Sequence, residues 1–341
     1  MTEPPTESLH ANLLTVDTHI DIPWPDRGDF TQDTDYRHVD LPKLRRGGIA
    51  AACLVAYVGQ GATDPAAHAA ISRQTLAMLD AINRGVEGAP ARICPLAAEI
   101  EAAFHAGITA IIPAVENGYA MGEDLSMLER FRALGARYMT LTHNGHNALA
   151  DSARPMASLN DPESRHGGLS GLGREAIAEM NRLGLLVDVS HTARSTMMQA
   201  VRLSRSPVLA SHSNARALCD HPRNLDDEQL DALRACDGVV HVTAVDGFLC
   251  PRDIRAQRPV GVADYVDHID YIARRIGVRH VGISSDFDGG GTIEGWRNAA
   301  QSPALTAELQ RRGYDGEQIA AIWGGNFLRV LRAAEAVAAP G

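Results

Sequence analysis

No stretch of the sequence gives eighteen uninterrupted apolar residues, so no segment reads as a membrane-spanning helix. The opening MTEPPTESLH has no basic residues ahead of an apolar run, and the closing AAEAVAAPG has no long apolar tail. A cytoplasmic protein without export signal or lipid anchor is therefore expected. Positive charge is in the minority, with 32 Lys and Arg against 42 Asp and Glu and a formal net charge of −10. With no arginine-rich block to compensate, nucleic acid and anionic membrane are excluded as default partners. Cysteine is scarce and odd in number: Cys53, Cys94, Cys219, Cys236 and Cys250 contain no CxxC spacing. That argues against a disulfide framework or a cysteine zinc site and leaves reduced core or loop residues. Nor does any linker rich in Pro, Ser or Gly divide the chain, so residues 1–341 are read as one domain.

What is present is an ordinary globular composition, 45% hydrophobic and 22% charged. Eight short apolar runs read as strands: 15–21, 49–58, 108–116, 137–143, 185–191, 208–212, 239–245 and 280–286. Several, such as AIIPAVE and LGLLVDVSH, are continuously apolar instead of alternating, the pattern of strands buried on both faces. Helical patterning fills the gaps at 66–84, 125–134, 174–183, 226–235, 263–276 and 317–334. Strand and helix in strict alternation predict an α/β fold, a (β/α)8 TIM barrel with C-terminal helices. Two stretches break the rhythm, 144–173 and the glycine-rich DFDGGGTIEGW run from Asp286, and both fall where substrate loops belong.

The strand ends carry the chemistry. His19 and Asp21 close the first, Glu116 the third, His143 the fourth, His191 the fifth, His212 the sixth and Asp286 the eighth. In a barrel these ends share one rim, and imidazoles converging with carboxylates there are ligand chemistry for zinc or a similar divalent ion. A single histidine or aspartate at a strand end is usually structural, but six of eight ends above apolar interiors are hard to explain that way. His19 and Asp21, two apart in a strand, point to the same side and suit one metal. His-x-Asp at this place resembles the opening motif of amidohydrolase-type barrels, many of which bridge two metals with a carbamylated lysine; the one lysine here, Lys43, lies outside every strand, so the resemblance implies a carboxylate bridge, and Glu116 is placed to supply it.

In that order DTHID, PAVENG, LTHNGHNALAD, GLLVDVSH, ASHSNARALCDHPRNL and VGISSDFDG resemble the motifs of the membrane (renal) dipeptidase family, and RRGYDGEQIAAIWGGNFLRV is similar to its closing segment. The resemblance implies a binuclear zinc dipeptidase with two Zn2+ per chain, cutting dipeptides, some with a D residue at the C-terminal position, with water activated between the metals. It implies His19 and Asp21 on one zinc, His191 and His212 on the other, and Glu116 shared. His143 would polarise the substrate carbonyl, Asp286 would handle protons, and Arg223 would pair with the free carboxylate of the dipeptide. A homodimer is implied as well. His146 competes with His143, Asp288 with Asp286 and Arg216 with Arg223, while Asp188 reads as a supporting residue. HVTAVDGF, after the seventh strand, departs from the family's aromatic stretch, so its tyrosine contact is not carried over. A metal-dependent amidohydrolase, lactonase or phosphotriesterase acting on a non-peptide molecule is the alternative, and a non-catalytic binding protein a third reading.

Overall fold

The computed structural model describes residues 6–25 and 28–339. Residues 1–5 of the opening segment and 340–341 of the expected 1–341 domain lie outside the described residues. Nine parallel strands form the sheet: β1 Val16–Asp21, β2 Ala51–Tyr57, β3 Ala91–Ile93, β4 Thr109–Glu116, β5 Tyr138–Thr140, β6 Leu186–Asp188, β7 Leu209–Ala210, β8 Val239–Val242 and β9 Val281–Ile283. Eight run in the order β1-β2-β4-β5-β6-β7-β8-β9, and β3 pairs with β4 beside this path. The ring comes together where Ile20 meets Phe287: Asp21 N donates to Phe287 O at 3.1 Å and Asp286 N to His19 O at 3.0 Å. The fold is thus the expected (β/α)8 barrel.

Every residue of β4 is buried, as are all but the last of β2, because helices cover the outer face while side chains fill the inside. Alternation sorts β1: His19 and Asp21 share one side, and Ile20 joins the apolar layer between barrel and helices.

Three details depart from the sequence reading. β3, three residues of which one is buried, one exposed and one between, has one partner strand and too little pattern to be seen. The expected strand ends at 143, 191, 212 and 286 are too long: β5, β6, β7 and β9 stop at Thr140, Asp188, Ala210 and Ile283, and the metal-type residues stand on the loops just beyond. The helix expected over 317–334 is broken into Gly316–Ala320, a π turn at Ala321–Gly325, and Asn326–Val337. A Cβ on Gly324 would lie 2.2 Å from Leu14 O, so the π turn is where the helix presses against the segment entering β1.

Candidate metal centre

Glu116, at the last position of β4 and 3% exposed, is the hub. Its Oε2 lies 3.5 Å from His19 Nε2, while its Oε1 lies 3.1 Å from His191 Nε2 and 3.3 Å from His212 Nε2. His19 Nε2 is also 3.6 Å from Asp21 Oδ1. One carboxylate oxygen therefore faces His19 and Asp21, and the other faces His191 and His212. Donor atoms of His19, Glu116 and His212 lie within 4.8 Å of one another, and so do those of Glu116, His143 and His191. The second group brings His143 to ligand distance, which the sequence reading had not assigned.

The rings are aimed by their far nitrogens. Tyr138 Oη donates to Thr18 O at 2.7 Å, so at its 3.0 Å contact with His19 Nδ1 the phenol oxygen accepts, and the proton belongs on Nδ1. Ser211 Oγ is 2.8 Å from His212 Nδ1. In both rings the Nε2 lone pair is thereby turned inward, the arrangement that metal-binding imidazoles need. Asp188, as expected, is a support: its Oδ1 accepts from Ser190 N at 2.9 Å and Ser211 N at 3.0 Å, fixing the turns that precede His191 and His212. Tyr138→Phe is expected to weaken metal binding by roughly 10- to 100-fold, the usual cost of losing such a partner. Competition titration against a chromogenic chelator reads this, and an unchanged affinity would remove Tyr138 from the role.

The electrostatics suit a divalent cation. His19 Nε2, Asp21 Oδ1 and His191 Nδ1 are buried with no hydrogen-bond partner among the described residues. Burial alone would press the His19 pKa down, yet Glu116 and Asp21 hold it well above the usual value. The carboxylates thus set up a field that favours positive charge at this point, which a divalent ion would satisfy. Burial drives His191 and His212 well below the ordinary histidine range, leaving neutral rings able to ligate. Asp286 is pushed up to about 8, first by burial, with Asp21 and Glu116 adding repulsion against the pull of His19. A Cβ on Gly289 would lie 2.5 Å from Asp286 Oδ1 and 2.7 Å from Asp21 Oδ2, so only glycine lets both carboxylates approach. His191 and Asp286 hold left-handed backbone, φ 65° and 58°, a strain concentrated at the site.

These groups open on a cavity of about 250 Å³ whose wall includes Tyr57, His143, Arg154, Arg223, Phe248 and Asp286. A larger recess of about 400 Å³ adjoins Asp21 on the side of the helix Pro65–Arg84 but contains none of the site histidines. Arg223 is buried, donates from Nη2 to His212 O at 3.2 Å, and keeps Nε free of any partner among the described residues. Burial lowers its pKa to about 10, so it stays charged at neutral pH. The rival residues are engaged elsewhere. His146 Nδ1 accepts from Ser152 N at 3.0 Å and its Nε2 is 2.9 Å from Pro162 O. Asp288 caps the backbone of His38 and Val39, and Arg216 pairs with Asp220. Lys43 is tied to Asp33, Asp40 and Thr34, outside the barrel. Sequence reading missed Tyr57, whose hydroxyl is 3.5 Å from His143 Nδ1, although its place at the end of β2 was a signal. It missed Arg154, on an irregular loop, and Phe248, in the four-residue helix Asp246–Leu249, both too short of pattern for periodicity to speak.

A buried carboxylate shared among inward-turned imidazoles, at the rim where barrel enzymes bind substrate, defines a metal-dependent hydrolase of the (β/α)8 class. Comparison with known proteins narrows the class. The family model described as membrane dipeptidase (Peptidase family M19) matches residues 5–340, and the chain belongs to that family of metallo-dipeptidases. Dipeptidase aclJ of Aspergillus oryzae is 37% identical over 320 residues, 92% of this chain and 74% of that protein. Among solved structures, the probable dipeptidase PvdM from Pseudomonas aeruginosa superposes with a TM-score of 0.91 at 30% identity over 98% of each chain. A metallo peptidase from Rhodobacter sphaeroides, bound to a phosphinate mimic of the dipeptide L-Ala-D-Ala, superposes at 0.81 with 27% identity, covering 94% of this chain and 99% of that one.

Proposed function

We propose that residues 1–341 work as one barrel domain that cuts free dipeptides, including those with a D residue at the C-terminal position, with two zinc ions per chain. His19 and Asp21 would hold one ion, His191 and His212 the other, and Glu116 would give one oxygen to each. When bound, the ions supply Lewis acidity and an activated water near neutral pH. The chain's own groups do the rest. His143, the most open of the site histidines, donates to the substrate carbonyl oxygen as negative charge develops there. Asp286 takes the proton of the attacking water and returns it to the leaving amine, a task suited to a carboxyl that burial keeps easily protonated. Arg223 holds the free carboxylate one residue beyond the scissile bond, which limits the substrate to two residues.

The observation that carries this reading is that a shared buried carboxylate and a buried, half-used guanidinium face one small cavity. The L-Ala-D-Ala mimic on the Rhodobacter relative supports the D-residue specificity. None of the five cysteines is bonded, which suits the cytoplasm we assign. No described helix is long and apolar enough to cross a membrane. A homodimer is the family expectation.

The test is metal content and turnover measured together on a panel of L,L and L,D dipeptides. About two zinc ions per chain with cleavage of a subset is the expected outcome. Two metals without dipeptide cleavage would move the assignment to a non-peptide substrate, and no bound metal would overturn it.

A further inference from the structure

We infer that Arg154 selects dipeptides whose C-terminal residue has an acidic side chain; the inference rests on the dipeptidase reading above and deepens it. Arg154 and Arg223 line the same cavity, but only Arg223 is buried. Arg223 sits at the base, against His212 O and over the Phe248 ring, where a terminal carboxylate is to be held. Arg154 is exposed at the mouth, where the side chain of that same C-terminal residue would project.

Its position is built. Gly145 N donates to Arg154 O at 2.8 Å, Arg154 N donates to Ser152 Oγ at 3.1 Å, and Ser152 Oγ in turn contacts the carbonyls of His143 and His191. The backbone of Arg154 is thus pinned to both loops that present site histidines. Its charge reaches the site, being among the influences that lower the pKa values of His143 and Arg223 after burial.

The bland alternative is a solvated surface charge, and the neighbours argue against it. Arg165 holds Asp161, Arg194 holds Asp226 and Glu228, and Arg216 holds Asp220. Among the described residues, the Arg154 guanidinium has no carboxylate within ion-pair distance, although it borders the cavity. An aspartyl or glutamyl side chain is the carboxylate of matching geometry, since a planar guanidinium takes a carboxylate by two parallel hydrogen bonds.

The zinc-loaded protein should be assayed with matched substrates: a dipeptide ending in Asp or Glu, its partner ending in Asn or Gln, and one ending in Ala. The acidic member is expected to have a kcat/KM about tenfold or more above its amide counterpart. In Arg154→Gln that ratio should fall towards one, through the KM of the acidic member, and Arg154→Lys should restore part of it. Equal rates for the acid and amide in the native protein would overturn the inference, as would a ratio that survives Arg154→Gln. The second result would mean that a group other than Arg154 reads the acidic side chain. Cleavage of the Ala substrate in those cases would leave the dipeptidase reading standing. If no dipeptide in the set is cut, that reading falls and takes this inference with it.

Discussion

Glu116→Gln is expected to lower kcat/KM by on the order of a thousandfold or more, with zinc content falling below two per chain. The amide keeps the shape of the carboxylate but has one acceptor oxygen and a donor nitrogen in place of two acceptors. Whichever way it turns, the NH2 faces either His19 or the His191 and His212 pair, where the native oxygens lie 3.5, 3.1 and 3.3 Å from imidazole nitrogens. The substitution also removes one of the two carboxylate charges that raise the His19 pKa against burial. Native protein stripped by a chelator should match the variant in activity, whereas zinc added back should rescue only the native form. Plasma emission spectrometry beside a dipeptide assay makes the comparison. A variant with full metal content and native turnover would show that Glu116 bridges nothing.

Removing the guanidinium of Arg223 should have the next largest effect. Arg223→Met is expected to reduce kcat/KM on free dipeptides by about a hundredfold or more, the scale for truncating one partner of a buried charge pair. On a C-terminally amidated dipeptide the native enzyme should already be slow, and the variant should be no slower. The ratio between free acid and amide thus isolates the interaction from general damage. Thermal unfolding supplies the control. In the free protein Arg223 is buried and, among the described residues, only His212 O accepts from it, so an apolar side chain of similar length should leave the melting temperature unchanged or raise it. A free acid and an amide cleaved at equal rates by the native enzyme would take Arg223 out of substrate recognition.

The barrel was legible because a parallel strand covered on both faces must be apolar throughout, and runs such as TAIIPAVE have no other comfortable home. The site was legible for the complementary reason: His19, Asp21 and Glu116 interrupt or end such runs, and burial of polar groups there demands a partner. The expected residues His143, His191, His212 and Asp286 do gather at the same rim, although they stand on loops past the strands. A run of apolar letters continues into a buried loop, and nothing in it marks where pairing stops. β3 escaped notice because three residues do not make a period. Tyr138 and Ser211, which aim the rings of His19 and His212, read as ordinary strand-end residues until the phenol and hydroxyl distances are known. Arg154 lies in a long irregular loop, where only three-dimensional proximity to Arg223 gives it meaning.

The place where the barrel closes has a consequence for the order in which the protein matures. Every proposed zinc ligand lies between residues 19 and 212, so a growing chain holds the complete set well before the last strand is made. Asp286 arrives only with the strand that joins the first, through Asp286 N to His19 O and Asp21 N to Phe287 O. The chain's earliest and latest strands therefore meet at the residue proposed to handle protons. On the proposed assignment the full ligand set is therefore synthesised before the ring can close, while the proposed proton carrier is set in place only by its closure.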